Sequence, residues 1–255
     1  MTSLHHPTRT TSDPTRLAAA ARSILACPAG VNLVVEGVDD VLADADDLGM
    51  QDLGGVPVFS CAPGTALGRA AADRRRALLV LESGLGPVGS SDRGATLSLG
   101  GFLVHRGDDR CDCCEDVRER VELEVDMVML TRTAERDTTT SFLLDVDERG
   151  LGVRVSLDEF ASPAHALNRG FLQRSTEHAN SCHQDELRRA VSTITGTRLA
   201  EVIGVSLRDL NPRSVQIQWV DTSGAHATSL DFAHTARSTD ELGDLLRERL
   251  HAGLC

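Results

Sequence analysis

Val121-Glu-Leu-Glu-Val-Asp-Met127 alternates apolar and charged residues without a break, and the run stays apolar to Leu130. A period of two marks a strand with one face on a core and the other in water. The stretches around it read the same way. Ala95–His105 also alternates and carries Gly100-Gly101, which suggests a bulged barrel strand. Val31–Glu36, Val56–Cys61 and Ala77–Glu82 are three further strands, with helices expected at Thr15–Ala26, behind Asp13-Pro14, and at Ala62–Arg76. Gly84–Asp92 reads as a turn region and Arg106–Arg118 as a polar loop, while Ser141–Val146 and Leu151–Leu157 flank Asp147-Glu-Arg-Gly150 as a hairpin. The acidic stretch Gly37–Gly55 lacks the ligand spacing of a calcium loop and reads as a solvated loop or helix. Six or seven strands with two short helices suit a small antiparallel barrel better than a βαβ array.

The pattern changes at Ser162-Pro163. Ala164–Ala179 and Gln184–Thr195 are expected helices joined at His178–His183, and Leu199–Val205, Ser214–Val220 and Ala227–Phe232 are expected strands. Ser238-Thr-Asp-Glu241 is a capping box opening an amphipathic helix that ends near Gly253. The expected organisation is therefore a disordered tail over 1–13, a barrel domain over 14–161, and an α+β domain over 162–255 with two helices, a three-stranded meander and a terminal helix.

At 255 residues, 41% hydrophobic and 25% charged, the chain can bury a full core without disulfide or metal staples. No apolar run approaches the ~18 residues of a membrane span, and the N-terminal MTSLHHPTRTTSDP lacks a signal's apolar centre, so a cytoplasmic protein is expected. All 26 basic residues are arginine and tyrosine is absent. Without lysine there is no Schiff-base chemistry and no P-loop; without tyrosine there is no tyrosyl acid or base. The formal charge is −12, with all but one unit of it before Ser162, and aromatics are 3%. That balance repels phosphate backbones and offers few stacking platforms, which argues against nucleic acid as a partner. Seven cysteines, an odd number, point to reduced thiols rather than a disulfide framework.

His178-Ala-Asn-Ser-Cys-His183-Gln-Asp185-Glu-Leu187 resembles the H-x-N-x-x-H-x-D-x-L signature that opens the C-terminal domain of HugZ-type haem-utilisation proteins, the domain-of-unknown-function 2470 family. In that family the domain follows a pyridoxamine 5'-phosphate oxidase-like (FMN-binding) split barrel. Gly55-Val-Pro-Val-Phe-Ser60 and Leu78-Leu-Val-Leu-Glu82 resemble its second and third strands, and Leu85-Gly-Pro-Val, Asp92-Arg93 and Leu99-Gly-Gly-Phe102 resemble the actinobacterial version. The resemblance implies an α+β fold, an N-terminal split β-barrel plus a C-terminal α+β domain, assembled as a homodimer with a cofactor cleft between the barrels. It implies haem held by a histidine of the C-terminal tail, a position that His251 occupies. Arginines on barrel strands or their ends, such as Arg93, Arg132 and Arg154, would pair with the propionates. The Arg/Lys-rich phosphate segment of flavin-binding relatives is not evident, so FMN, and with it FMN-dependent oxidase activity, is not expected.

The residues have their own physical readings. His178 and Asn180 could cap a helix start, with Asp185 in the first turn of the next helix; the two histidines either form a polar hinge or converge on a metal. Cys111, Cys113 and Cys114 either hold zinc with a recruited fourth ligand or are incidental thiols of a loop insertion, and nearby acids raise rather than lower their pKa. Cys27-Pro28 resembles a haem-responsive Cys-Pro element but also suffices to stop a helix. No Gly-x-Ser-x-Gly elbow or His-Glu-x-x-His is present. The expected function is haem binding in haem or iron metabolism, extending to a HugZ-like haem oxygenase. The alternatives are a non-enzymatic regulator that binds a tetrapyrrole-synthesis enzyme, and a flavin- or deazaflavin-dependent reductase.

Overall fold

The computed structural model describes residues 13–41, 49–110, 117–132 and 152–251. The chain divides into two compact units, Met1–Ser162 and Pro163–Cys255. The first is built on a strongly curled antiparallel half-barrel sheet, the second on helices and a three-stranded sheet.

The first unit opens with α1 (Pro14–Ala26), where the Asp13 carboxylate accepts from Thr15 N–H at 3.1 Å and Pro14 fills the first turn. Its buried stripe, Leu17, Ala21, Ile24 and Leu25, lies in the barrel core. Seven strands follow: β1 (Pro28–Val35), β2 (Gly49–Leu53), β3 (Val56–Cys61), β4 (Arg76–Ser83), β5 (Ala95–Arg110), β6 (Val117–Arg132) and β7 (Val153–Arg154). The sheet order is β1-β4-β5-β6-β3-β2, with β7 also paired to β6. Between β3 and β4 lies α2 (Ala66–Ala72), capped by the Thr65 hydroxyl on Gly68 N–H, and the short α3 (Leu157–Phe160) follows β7. Phe59, Leu79, Leu81, Leu97, Leu99, Leu103, Val121 and Leu123 are wholly buried, each worth about 1.5–3 kcal/mol relative to exposure.

The alternation of the quoted stretch breaks in phase at a bulge. Gly100 pairs with Met127 but Gly101 with Val125, leaving Asp126 as the extra residue on β6. Val121 and Leu123 therefore face the core before the bulge and Val128 and Leu130 after it, which turns Met127 and Met129 outward. Gly101 makes this possible, because a Cβ there would lie 2.1 Å from the Glu124 carbonyl oxygen.

Several expectations are corrected. The acidic stretch contains β2, whose Gly49–Leu53 backbone pairs with β3 although its side chains carry little apolar signal. Of the expected polar loop Arg106–Arg118, residues 106–110 and 117–118 are strand, the ends of β5 and β6, and Arg106 bridges Glu122 and Glu124 across them, both at 2.8 Å. Strand Leu151–Leu157 reduces to Val153–Arg154 paired with β6, and Leu157 begins α3. The tail's first 12 residues, the expected strand Ser141–Val146 and the Cys111–Cys114 cluster lie outside the described residues.

The second unit holds α4 (Arg169–Cys182), α5 (Gln184–Thr195), β8 (Gly204–Asn211), β9 (Ser214–Asp221), β10 (Gly224–Asp231) and α6 (Thr239–His251), with sheet order β10-β9-β8. Leu187, Val191, Val202, Leu207, Val215, Ile217, Leu242 and Leu245 form its core. α4 starts later than Ala164 because Asn168 caps it, its Oδ1 accepting from Phe171 N–H at 2.9 Å. Leu199–Glu201 is a 3₁₀ turn rather than a strand, and β8 begins at Gly204. One bond of the capping box forms as read, Ser238 Oγ accepting from Glu241 N–H at 3.2 Å, whereas the Glu241 carboxylate accepts from Arg237 N–H, one residue before the cap.

Candidate functional site

Register places a band of apolar residues on the outer face of the barrel sheet. Val34, Leu78, Gly100 and Met127 sit opposite one another across β1, β4, β5 and β6. Adjacent strands are ~4.8 Å apart, so this row spans about 14 Å. Val34 is 54% and Leu78 37% exposed, although both lie mid-strand. A second row, Val80, Ser98, Met129 and Arg154, runs beside the first from β4 to β7. A third holds Arg76, Phe102 and Glu124. The Arg76 guanidinium lies 5.2 Å from the Phe102 ring and pairs bidentately with Asp126 at 3.0 and 3.1 Å. Arg76, Asp126, Met127, Met129 and Arg154 line an open groove of about 380 Å³. Chemically this is a polarizable methionine floor with Arg154 at its rim and the Arg76 charge met by Asp126.

The three candidate arginines lie at one end of this sheet. Arg132, the last residue of β6, pairs with Ala95 at the start of β5, and Arg93 precedes Ala95 by two residues in a 3₁₀ turn. Arg154 pairs with Met129, three residues before Arg132. Arg93 Nε donates to the Gly86 carbonyl at 3.1 Å, which ties it to the turn, whereas Arg154 is exposed in the groove. His251 is the final residue of α6, in the other unit.

The signature segment has a different job from capping a helix start. His178 and Asn180 lie in the last turns of α4, His183 is the junction residue, and Asp185 sits in the first turn of α5. β8 is an edge strand, and the Asn180 amide closes that edge like a short piece of strand. Its Oδ1 accepts from Leu207 N–H at 2.7 Å and its Nδ2 donates to Leu207 O at 3.0 Å. Gln184 Nε2 donates to Val205 O at 3.0 Å and to Asn180 O at 2.7 Å. Leu187 is 1% exposed in the core. His178 and His183 remain at the surface, their Nε2 atoms 3.3 Å apart. Asp185 is exposed beside Arg188 and Arg189.

A cluster the sequence reading missed lies at the β9–β10 turn. Asp221 Oδ1 accepts from the Ser223 hydroxyl at 2.6 Å, Ser223 N–H at 2.8 Å and His226 Nε2 at 3.0 Å. These bonds, with the Ser223 hydroxyl foremost, hold the Asp221 carboxyl well below the usual carboxylate range. Serine and aspartate both address the same imidazole nitrogen, so the trio cannot relay a proton as a nucleophile–base pair does. It fastens a turn and holds the His226 ring stacked on Trp219, 5.1 Å between centroids. In the barrel, burial comes first in pushing the Cys61 thiol up, and the charge of Glu119 adds to it, which leaves that sulfur unreactive at neutral pH.

No family model matches the chain, and no curated protein matches it. Among solved structures it is similar to a heme binding protein from Mycobacterium smegmatis at 18% identity and a TM-score of 0.37, over 93% of this chain and 97% of that one. It is similar to a protein of unknown function from Agrobacterium tumefaciens at 15% identity and a TM-score of 0.36, over 97% and 100% of the two chains. A putative general stress family protein from Xanthomonas campestris aligns at 16% identity and a TM-score of 0.38, over 51% of this chain and 97% of that one. Scores this low do not place two chains in one fold, so the architecture above rests on strand order and register. No helix among the described residues is long and apolar enough to cross a membrane.

Proposed function

We propose that the protein binds haem on the outer face of its barrel sheet and works as a homodimer in which two such faces enclose the porphyrin. One observation carries this reading: an apolar row on the outer face, with Val34 and Leu78 exposed and continued by Gly100 under the partly buried Met127, beside a methionine-floored groove with Arg154 at its rim. An exposed apolar band on a mid-sheet face marks a surface that is covered in use. The chemistry fits haem, since the floor suits a flat macrocycle and Arg154 at its rim suits a carboxylate. Arg132 falls on the inward face with Val128 and Leu130, and Arg93 is tied to the Gly86 carbonyl, so neither is placed on this floor. His251, at the end of α6, is the residue that would hold the iron. Haem would supply the oxidation chemistry of an oxygenase; this chain would orient it, pair its propionates and exclude water.

A second reading, a regulator that binds a tetrapyrrole-synthesis enzyme without catalysis, is favoured by the use of the signature. Asn180 and Leu187 are engaged in closing a sheet edge and filling a core, which gives those two signature residues a structural part rather than a catalytic one. Haemin titration followed in the Soret region, with His251→Ala alongside, tests the haem reading. A saturable, sharp band that shifts or disappears in the variant is expected, and its bleaching with reductant and dioxygen would mark an oxygenase. A broad, non-saturating band unaffected by the substitution would overturn haem ligation. Deleting 250–255 separates the two readings, because an iron ligand there is lost while a partner surface on the barrel survives.

A further inference from the structure

The segment between α4 and α5 leaves two imidazoles and one carboxylate on the surface in a defined order. His183 Nδ1 lies 2.5 Å from Glu186 Oε2. A carboxylate only accepts, so that nitrogen carries the hydrogen and the neutral ring keeps its lone pair on Nε2. That nitrogen lies 3.3 Å from His178 Nε2, with the two rings nearly edge to face at 76°. Two imidazoles sharing one tetrahedral zinc at 2.0–2.1 Å would hold their ligating nitrogens about 3.3–3.4 Å apart. A square or octahedral pair at the same bond length would sit closer, at about 2.9 Å. The carboxylate behind the second histidine is the outer partner that ligating histidines ordinarily have, fixing tautomer and ring orientation.

We propose that His178 and His183 bind a divalent cation of the zinc class through their Nε2 atoms, with Glu186 as a positioning residue behind His183. The site belongs to the second unit and does not depend on the haem reading. Its protein part is bidentate: two tetrahedral positions are left for water or for a donor atom from another molecule. The helix break makes the geometry, since α4 ends at Cys182 and α5 begins at Gln184, and residues five apart face each other across the junction.

The test is a zinc titration of the full chain by calorimetry or against a chromophoric chelator, comparing wild type with His178→Ala, His183→Ala and Glu186→Gln. His5, His6 and the cysteines contribute the same background to every protein, so the difference is what is read. Either histidine variant is expected to lose one zinc equivalent or weaken it at least tenfold, and Glu186→Gln to weaken it about tenfold, all with unchanged melting temperature. His178 is exposed within α4, so its variant reports even where a change at the junction residue disturbs folding. Identical titrations for wild type and His178→Ala would overturn the site and leave the pair as a hydrogen bond. An unchanged Glu186→Gln would overturn the role given to that carboxylate.

Discussion

Replacing Asn180 by alanine tests the reading of the signature segment as an edge closure. The side chain supplies both a donor and an acceptor to one buried residue of β8, Leu207, at 3.0 and 2.7 Å. Alanine removes two hydrogen bonds and leaves a backbone N–H and C=O on an edge that α4 and Gln184 keep from being fully wetted. Two bonds at about 1 kcal/mol each, plus about 1–2 kcal/mol for groups left half-shielded, give about 2–4 kcal/mol. In a unit of this size that is a fall of roughly 10–25 °C in melting temperature, or about 1–2 M in urea midpoint. The assay is unusually clean. The chain has 1 tryptophan and no tyrosine, and Trp219 pairs with Val205 on the same edge strand, so intrinsic fluorescence reports this unit alone. Asn180→Asp should not rescue, because a carboxylate oxygen would then face the Leu207 carbonyl. A shift below about 0.5 kcal/mol in Asn180→Ala would refute the closure, being no more than an ordinary surface substitution costs.

Gly101→Ala should cost at least about 2 kcal/mol in thermal unfolding followed by circular dichroism, since its Cβ would meet the Glu124 backbone at 2.1 Å. Gly100→Ala should stay within about 1 kcal/mol, because the nearest atom, at 3.0 Å, is the movable Met127 Cε; equal losses at the two positions would contradict the bulge argument. The Asp221 carboxyl is depressed in the folded state, so its contribution is complete above the unfolded value of about 3.9 and is lost as pH falls below it. The gap in urea midpoint between wild type and Asp221→Asn, read by Trp219, should therefore narrow from about pH 5 to about pH 2, and a constant gap would contradict it.

Strand periodicity located most of the barrel because its core faces are strictly apolar: β3 is found at Val56–Cys61 as read, and β4 within one residue at each end. What periodicity missed was held by backbone or by charge. β2 has no apolar stripe and exists through its pairing with β3, and the ends of the long β5–β6 hairpin are polar residues joined by Arg106 and its two glutamates. The bulge was signalled by Gly100-Gly101, but its consequence, the outward turn of Met127 and Met129, required the register. Of the candidate site, the arginines could be named from the chain but not brought to one end of a sheet without strand order. The signature histidines were visible as a pair, whereas the work of Asn180 and Gln184 depends on which strand lies at the edge. The Asp221 turn escaped notice because short polar turns carry no periodic signal.

Whether haem is enclosed between two barrel faces is read by sedimentation velocity detected at the Soret wavelength, for wild type and Met127→Glu. A charge at Met127 falls at the β6 end of the apolar band, on the floor of the groove, and spares the core, which lies on the opposite face of β6. Soret absorbance in the wild type is expected to sediment at the mass of a dimer, and Met127→Glu to lose both the dimer and the bound haem while retaining its fold. Haem sedimenting with a monomer, or bound as well by the variant as by the wild type, would contradict that enclosure.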